Sequence, residues 1–157
     1  MAIIDLTKPN TRANYPPPVA ARNSTQNIKR RITGAELTAA GTPASDTFRV
    51  FQLQKGMRVR NVELTVLVVD TTGVTSMDIG YEDSNGSSAT AFEANATLAA
   101  TGCFSTGDAK VMLSADGWIT ITPNNAILAG CVFVLGVDID DYGMVVRDDT
   151  IAAAIST

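Results

Sequence analysis

Phe48-Arg49-Val50-Phe51-Gln52-Leu53-Gln54-Lys55-Gly56-Met57-Arg58-Val59-Arg60-Asn61-Val62-Glu63-Leu64-Thr65-Val66 is the stretch on which the fold turns. From Asp46 to Leu53 the residues read as a strand, and Gln54-Lys55-Gly56 supplies the turn after it. Beyond the turn, Met57 and Val59 share one parity, whereas Val62, Leu64, Val66 and Val68 share the other. Strand side chains point alternately to two faces, so this one-residue slip predicts a β-bulge near Arg60-Asn61.

The same logic extends in both directions. Gly73 turns the chain, after which Met77, Ile79 and Tyr81 alternate with Asp78, Gly80 and Glu82. Asp83-Ser84-Asn85-Gly86-Ser87-Ser88 is a turn cluster with Asn-Gly at its centre, the strongest short hairpin signal. The alanine-rich residues 91–100 suggest one or two helical turns anchored by Phe92 and Leu98. Lys110-Val111-Met112-Leu113-Ser114 and Trp118-Ile119-Thr120-Ile121-Thr122-Pro123, joined through Ala115-Asp116-Gly117, read as a hairpin. Cys131 to Ile139 is apolar on both parities as far as Gly136, the pattern of a central strand covered on both faces. Asp148 to Ile155 fits a brief helix capped by Asp148, a last edge strand or a tail. Seven or eight such strands with polar turns and no βαβ rhythm predict an all-β sandwich or barrel.

Composition narrows the function classes. The chain has 157 residues, of which 45% are hydrophobic, enough for one domain with a substantial core. No apolar run approaches the ~20 residues that span a bilayer. Asp5, Lys8, Asn10 and Arg12 interrupt the opening residues, so no secretory signal is expected. The sequence contains no histidine, which removes Ser-His-Asp and Cys-His nucleophile systems and the ordinary zinc sites. Two cysteines, Cys103 and Cys131, make no disulfide framework, and a single bridge between them stays open. No catalytic residue, metal site, cofactor or small-molecule substrate is expected.

Charge is segregated along the chain. Residues 1–31 hold Lys8, Arg12, Arg22, Lys29, Arg30 and Arg31 against the single acid Asp5, whereas residues 32–157 carry fifteen acids and six bases. Tyr15-Pro16-Pro17-Pro18 favours an extended polyproline course. The expected organisation is therefore an extended basic N-terminal arm, 1–31, on an acidic sandwich body, 32–157. The candidate docking residues are Lys8, Arg12, Tyr15, Arg22, Lys29, Arg30 and Arg31. Cations neutralise phosphates, but the body is acidic and the arm's one aromatic is Tyr15, so a protein surface fits this arm better than nucleic acid does.

Two acidic clusters have the composition of candidate ligand or catalytic groups. Glu82-Asp83-Ser84-Asn85-Gly86 imitates the start of a calcium loop, yet its spacing departs from the EF-hand pattern and a hairpin turn suffices. Asp138 and Asp140 share a strand face and could pair as a carboxylate hydrolase dyad, although solvated strand-end charges explain them too. Trp118 starts a strand and is a candidate core or subunit-interface anchor.

The stretch from Phe48 to Val66 resembles the strand, turn and strand of small structural proteins of tailed bacteriophages. Met77-Asp78-Ile79-Gly80-Tyr81-Glu82-Asp83 resembles their strand followed by an acidic turn, and Asp108-Ala109-Lys110-Val111 with Gly117-Trp118-Ile119-Thr120-Ile121-Thr122 resembles their closing hairpin. The resemblance spans roughly residues 46–139. It implies a jelly-roll-like antiparallel β-sandwich with an extended N-terminal arm, usually a homotrimer, made in the bacterial host cytoplasm. Such a protein decorates or cements the outer surface of a capsid by binding its major capsid protein, with no nucleic acid or membrane partner. Head fibres and tail components share this style, which leaves a receptor- or carbohydrate-binding module as the alternative. Its aromatic candidates would be Trp118, Tyr81 and Tyr142.

Overall fold

A computed structural model of the chain describes residues 2–6, 25–71, 75–105 and 111–141. Its strands are β1 (Ile3–Asp5), β2 (Thr25–Thr33), β3 (Thr47–Leu53), β4 (Met57–Val68), β5 (Ser76–Asp83), β6 (Gly86–Thr97), β7 (Gly102–Ser105), β8 (Val111–Met112), β9 (Gly117–Pro123) and β10 (Val132–Asp141). One helix among the described residues, α1 (Gly34–Ala40), follows β2. The first sheet has the order β1-β3-β9-β5-β6 and the second β2-β10-β4-β7, with β8 also on β4. All pairs are antiparallel except β1 with β3. An all-β antiparallel sandwich forms, as expected.

The pairings are nested. β5 pairs β6, β4 pairs β7 and β8, β3 pairs β9, and β2 pairs β10. The chain is thus one long antiparallel ribbon doubled at the Ser84-Asn85 turn and then wound, so that β9 meets β5 and β10 meets β4. Strict alternation sends Phe133, Leu135, Val137 and Ile139 of β10 inward, where all four are fully buried. Ile28, Ile32, Val59, Val62, Leu64 and Val66 join them from the second sheet, facing Phe48, Phe51, Leu53, Met77, Ile79, Ile119 and Ile121 of the first. The expected bulge is present. Asp138 sits opposite Asn61 and Ile139 opposite Val59, leaving Arg60 as the extra residue.

Four expectations need correction. Residues 110–114 and 118–123 do not form a hairpin. Val111 and Met112 pair with Val59 and Arg58 in the second sheet, while β9 lies between β3 and β5 in the first. The ribbon dictates this, because their partners β4 and β3 are already in opposite sheets. Asp116 accordingly accepts from the Lys55 backbone N–H at 2.8 Å, bracing the turn that joins those partners. Residues 91–97 are strand rather than helix, since β5 offers an edge to pair and tertiary pairing overrides alanine's helix preference. Phe92 and Leu98 are nonetheless core anchors.

Third, the boundary at residue 31 falls inside β2, so Lys29, Arg30 and Arg31 belong to the body, as do Ile3–Asp5. Fourth, β10 is central, but only its inner face is covered by the other sheet; outward lie half-buried Val134 and Asp138. Residues 148–155, and Lys8, Arg12, Tyr15, Arg22 and Tyr142, lie outside the described residues.

The helix was not anticipated. Thr33 caps it, its hydroxyl accepting from the Glu36 N–H at 3.1 Å. Gly34 and Ala35 N–H groups donate to Cys131 and Ala129 carbonyls, tying the helix start to the loop between the other ribbon strands, β9 and β10. Truncating Phe133 to alanine should cost about 3–5 kcal/mol, as large core aromatics do, whereas Thr33→Ala should cost about 1 kcal/mol through the lost cap. Urea denaturation midpoints check both, and the order of the two effects is the diagnostic.

Candidate functional site

β2 is the edge strand of the second sheet and carries three of the expected docking cations. Ile28 and Ile32 point inward, so Lys29 and Arg31 must point out. Arg30 shares the inward parity, and at the open edge of the sandwich its guanidinium reaches across to the first sheet. Its Nη1 donates to the Leu6 carbonyl at 2.6 Å and its Nη2 to Glu36 Oε1 at 2.6 Å. Only 12% of its side chain is exposed. Arg30 is a clamp between the end of β1, the helix and β2, not a free docking cation.

Lys29 is engaged differently. Gly136, its pairing partner on β10, has no side chain, and the Lys29 stem lies across that position. Nζ thereby reaches Glu63 on the next strand at 3.3 Å. Half of the Lys29 side chain remains exposed, so this pair contributes less than about 1 kcal/mol. Arg31 is exposed on the same outer face, opposite Val134. Close to that row the β4–β10 register shifts by one residue at Leu67. The shift leaves Leu67 and Val68 half exposed, and Leu128 is 41% exposed. The three β2 cations thus divide into a clamp, a cross-strand ion pair and an exposed charge near an aliphatic patch.

The first sheet's outer face holds Trp118. It is not a core residue: Arg49 stacks on its indole with the guanidinium carbon 3.9 Å from the ring centroid. Glu82 grips the same guanidinium through bonds of 2.7 and 3.2 Å, and this pairing raises the Arg49 pKa. The Trp118 Nε1–H is buried without a partner. With its face covered by Arg49, the indole offers no flat platform for a sugar. Tyr81 leans on Phe92 with ring centroids 6.2 Å apart. A shallow trough of about 180 Å³ on this sheet is lined by Ile3, Thr47, Glu82, Ser87, Ala89 and Thr120.

The acidic clusters are accounted for by structure. Asp83 accepts from the Asn85 and Gly86 N–H groups at 2.8 and 2.9 Å and from the Ser114 hydroxyl at 3.0 Å, closing the β5–β6 turn. Burial pushes its pKa up, but those hydrogen bonds outweigh burial and leave the carboxyl below its ordinary value. Asp138 is held between the side-chain amides of Asn27 at 2.6 Å and Asn61 at 3.4 Å, across three strands. Both cysteines are free. Burial, and then the Asp70 charge, push the Cys131 thiol up to about 11, far from a nucleophile's range.

Sequence reasoning passed over one constellation, at the N-terminus. Asp46 accepts from the Ala2 N–H at 2.9 Å and the Thr42 N–H at 2.8 Å. Thr47 N–H donates to Ala2 O, and Leu6 N–H to Arg49 O. A side chain at Gly41 would stand 2.9 Å from both Ile4 and the Asp46 carboxylate, so the bare backbone there leaves room for β1. The signal available in the sequence was Thr42-x-x-x-Asp46 around Gly41, the composition of a side-chain-braced loop.

No protein-family model matches the chain, and no curated protein matches it. Solved structures do. A chain from the acidic stable capsid of Helicobacter pylori bacteriophage KHP30 matches with TM-score 0.58 and 17% identity, over 76% of this chain and 89% of that one. A chain from the capsid of Ralstonia phage GP4 matches with TM-score 0.59 and 15% identity, over 80% and 90%. One from the cyanophage Pam1 capsid asymmetric unit gives 0.52 and 16%, over 86% and 96%. At such identities the likeness concerns the fold. Each match spans nearly all of its neighbour, so those chains are themselves small sandwiches of similar extent.

Two outcomes follow from the edge geometry. Arg30→Ala should destabilise the protein by about 1.5–3 kcal/mol, the range for hydrogen bonds to a charged group, whereas Lys29→Ala should be close to neutral; thermal denaturation separates them. The Thr42 and Ala2 N–H bonds lower the Asp46 pKa below 3.8. A depressed carboxyl stabilises the fold above its unfolded pKa and stops doing so as pH falls through the folded value. Protection of the Leu6 amide against hydrogen exchange, taken relative to the intrinsic rate at each pH, should therefore be high at pH 6 and fall below about pH 3.9, and Asp46→Ala should abolish that change in protection.

Proposed function

We propose that this chain is a structural component of a bacteriophage virion that binds the outer surface of the capsid as a cement or decoration protein. The observation that carries the reading is the fold this sandwich shares with chains of three solved bacteriophage capsids, over 76–86% of its length. The nested pairing of β2 to β10, in which β7 and β8 together answer β4, supports reading the sandwich as a jelly roll, a double-sheet architecture familiar from viral capsid domains. The trough is smaller than the ~300 Å³ at which small-molecule sites begin, and the buried Cys131 thiol is inert, which fits a non-catalytic role.

In this reading residues 7–24 make the docking contact. They carry Lys8, Arg12 and Arg22 with no acid, together with Tyr15 and the Pro16-Pro17-Pro18 run. Both ends are fixed to the body, at Leu6 and Thr25, so the docking element is a tethered segment rather than a free leader. Arg31 is exposed for the same surface. A protein that binds assembled shell and not free subunits stabilises the shell by mass action. A homotrimer would present three such segments, and effective concentration would let each contact be individually weak.

Substituting Lys8, Arg12 and Arg22 together by alanine should leave the melting temperature within a degree or two. It should also weaken binding to capsids of the same virus at least tenfold in co-sedimentation. Wild-type binding should weaken with added salt, since exposed charges are screened beyond ~8 Å at physiological ionic strength. Full occupancy by the triple variant would remove the docking role from this segment. Removing residues 1–27 outright would take β1 and the first residues of β2 out of the sandwich, so the substitutions leave the fold intact where a truncation would not.

A further inference from the structure

We infer that β1 is exchanged between copies, so that Ala2–Leu6 of one chain completes the first sheet of its neighbour in the oligomer. The groups seen to hold both ends of this strand belong to the chain beyond residue 24. Asp46 takes the Ala2 N–H, Thr47 N–H takes Ala2 O, Arg49 O takes the Leu6 N–H, and Arg30 takes Leu6 O. Gly41 supplies the notch beside Ile4, and Leu6 is 8% exposed in its seat. The body therefore presents a complete receptor groove for a five-residue segment. The groove does not depend on which chain delivers that segment.

The covalent link is far longer than a strand bound to its own body needs. Leu6 touches Arg30, and Thr25 lies five residues further along β2. That separation is about 20 Å, which roughly six extended residues would span. Eighteen residues, 7–24, join the two points. Fully extended they could cover roughly 60 Å. Pro9 and the Pro16-Pro17-Pro18 run within them favour extension over folding back.

Exchange leaves the contacts of β1 unchanged, so tether geometry alone decides between its own groove and a neighbour's. Among the described residues β1 makes the one parallel pairing, and it is the shortest member of the first sheet and lies at its edge, so its release breaks no other strand pairing. In a single chain, only its own groove is available. The inference rests on the oligomer of the preceding reading, and the occupant is a second copy of this chain.

The test uses the full-length protein carrying Ile3→Cys and Thr47→Cys, which face each other in the β1–β3 register, with the exposed Cys103 changed to Ser. Light scattering first gives the oligomeric state. The sample is then oxidised and run on a non-reducing denaturing gel. Exchange predicts covalent species up to the size of the oligomer, at the expense of the monomer band. An oligomer whose chains run as monomers, linked internally or not at all, overturns the exchange while leaving the oligomer intact. A monomer by light scattering overturns both.

Discussion

The burial of Phe133, Leu135, Val137 and Ile139 against the first sheet is the constraint on which the rest depends. A slip of one residue would turn that entire row to solvent, so the register of β10 is fixed by its own core face. Through β10 the registers of β2 and β4 are fixed as well. Lys29 then has to lie over Gly136 and meet Glu63, Asn27 has to meet Asp138, and Arg30 has to fall at the gap between the sheets. The placement of the edge cations is thus a consequence of the core and not of any attraction among the cations themselves.

Nesting has a second consequence, in the connections. Because each new strand pairs with one laid down earlier, the chain must change sheets wherever its earlier counterpart did. The helix α1 carries the chain from β2 to β3, and the loop before β10 returns beside it through the Gly34 and Ala35 amide bonds. The passage from β8 to β9 is the mirror of the turn between β3 and β4. Local sequence gives no sign of this. A tight Asp116-Gly117 connection looks the same whether the next strand stays in the sheet or crosses to the other.

Much of the architecture was readable from alternation alone. β3, the Gly56 turn, the Arg60 bulge, the β5–β6 hairpin and the central position of β10 all follow from parity and turn residues, although that hairpin turns at Ser84-Asn85, one residue before Asn85-Gly86. Where alternation was masked, the reading failed. Lys29-Arg30-Arg31 concealed an edge strand whose core side chains are only Ile28 and Ile32. Alanine content at residues 91–97 pointed to helix when pairing with β5 decided otherwise. The helix start was legible in Thr33-x-x-Glu36, a capping-box spacing. Trp118 was read as a core or subunit-interface anchor; it is not in the core but faces outward beneath Arg49, because its parity on β9 is opposite to that of Ile119 and Ile121. The Asp46 brace joins residues 44 positions apart, a separation no local pattern encodes.

The functional account comes down to where this sandwich sits. The proposed place on the outside of a shell rests on fold likeness to capsid chains taken together with the cations of residues 7–24. The most direct measurement is a pair of electron cryomicroscopy maps of capsids assembled with and without the protein. The account predicts extra density on the outer surface at symmetry-related positions, into which this sandwich fits with residues 7–24 toward the shell. Maps that show no difference on the outer surface, or that place the protein only on a tail or fibre, would contradict it.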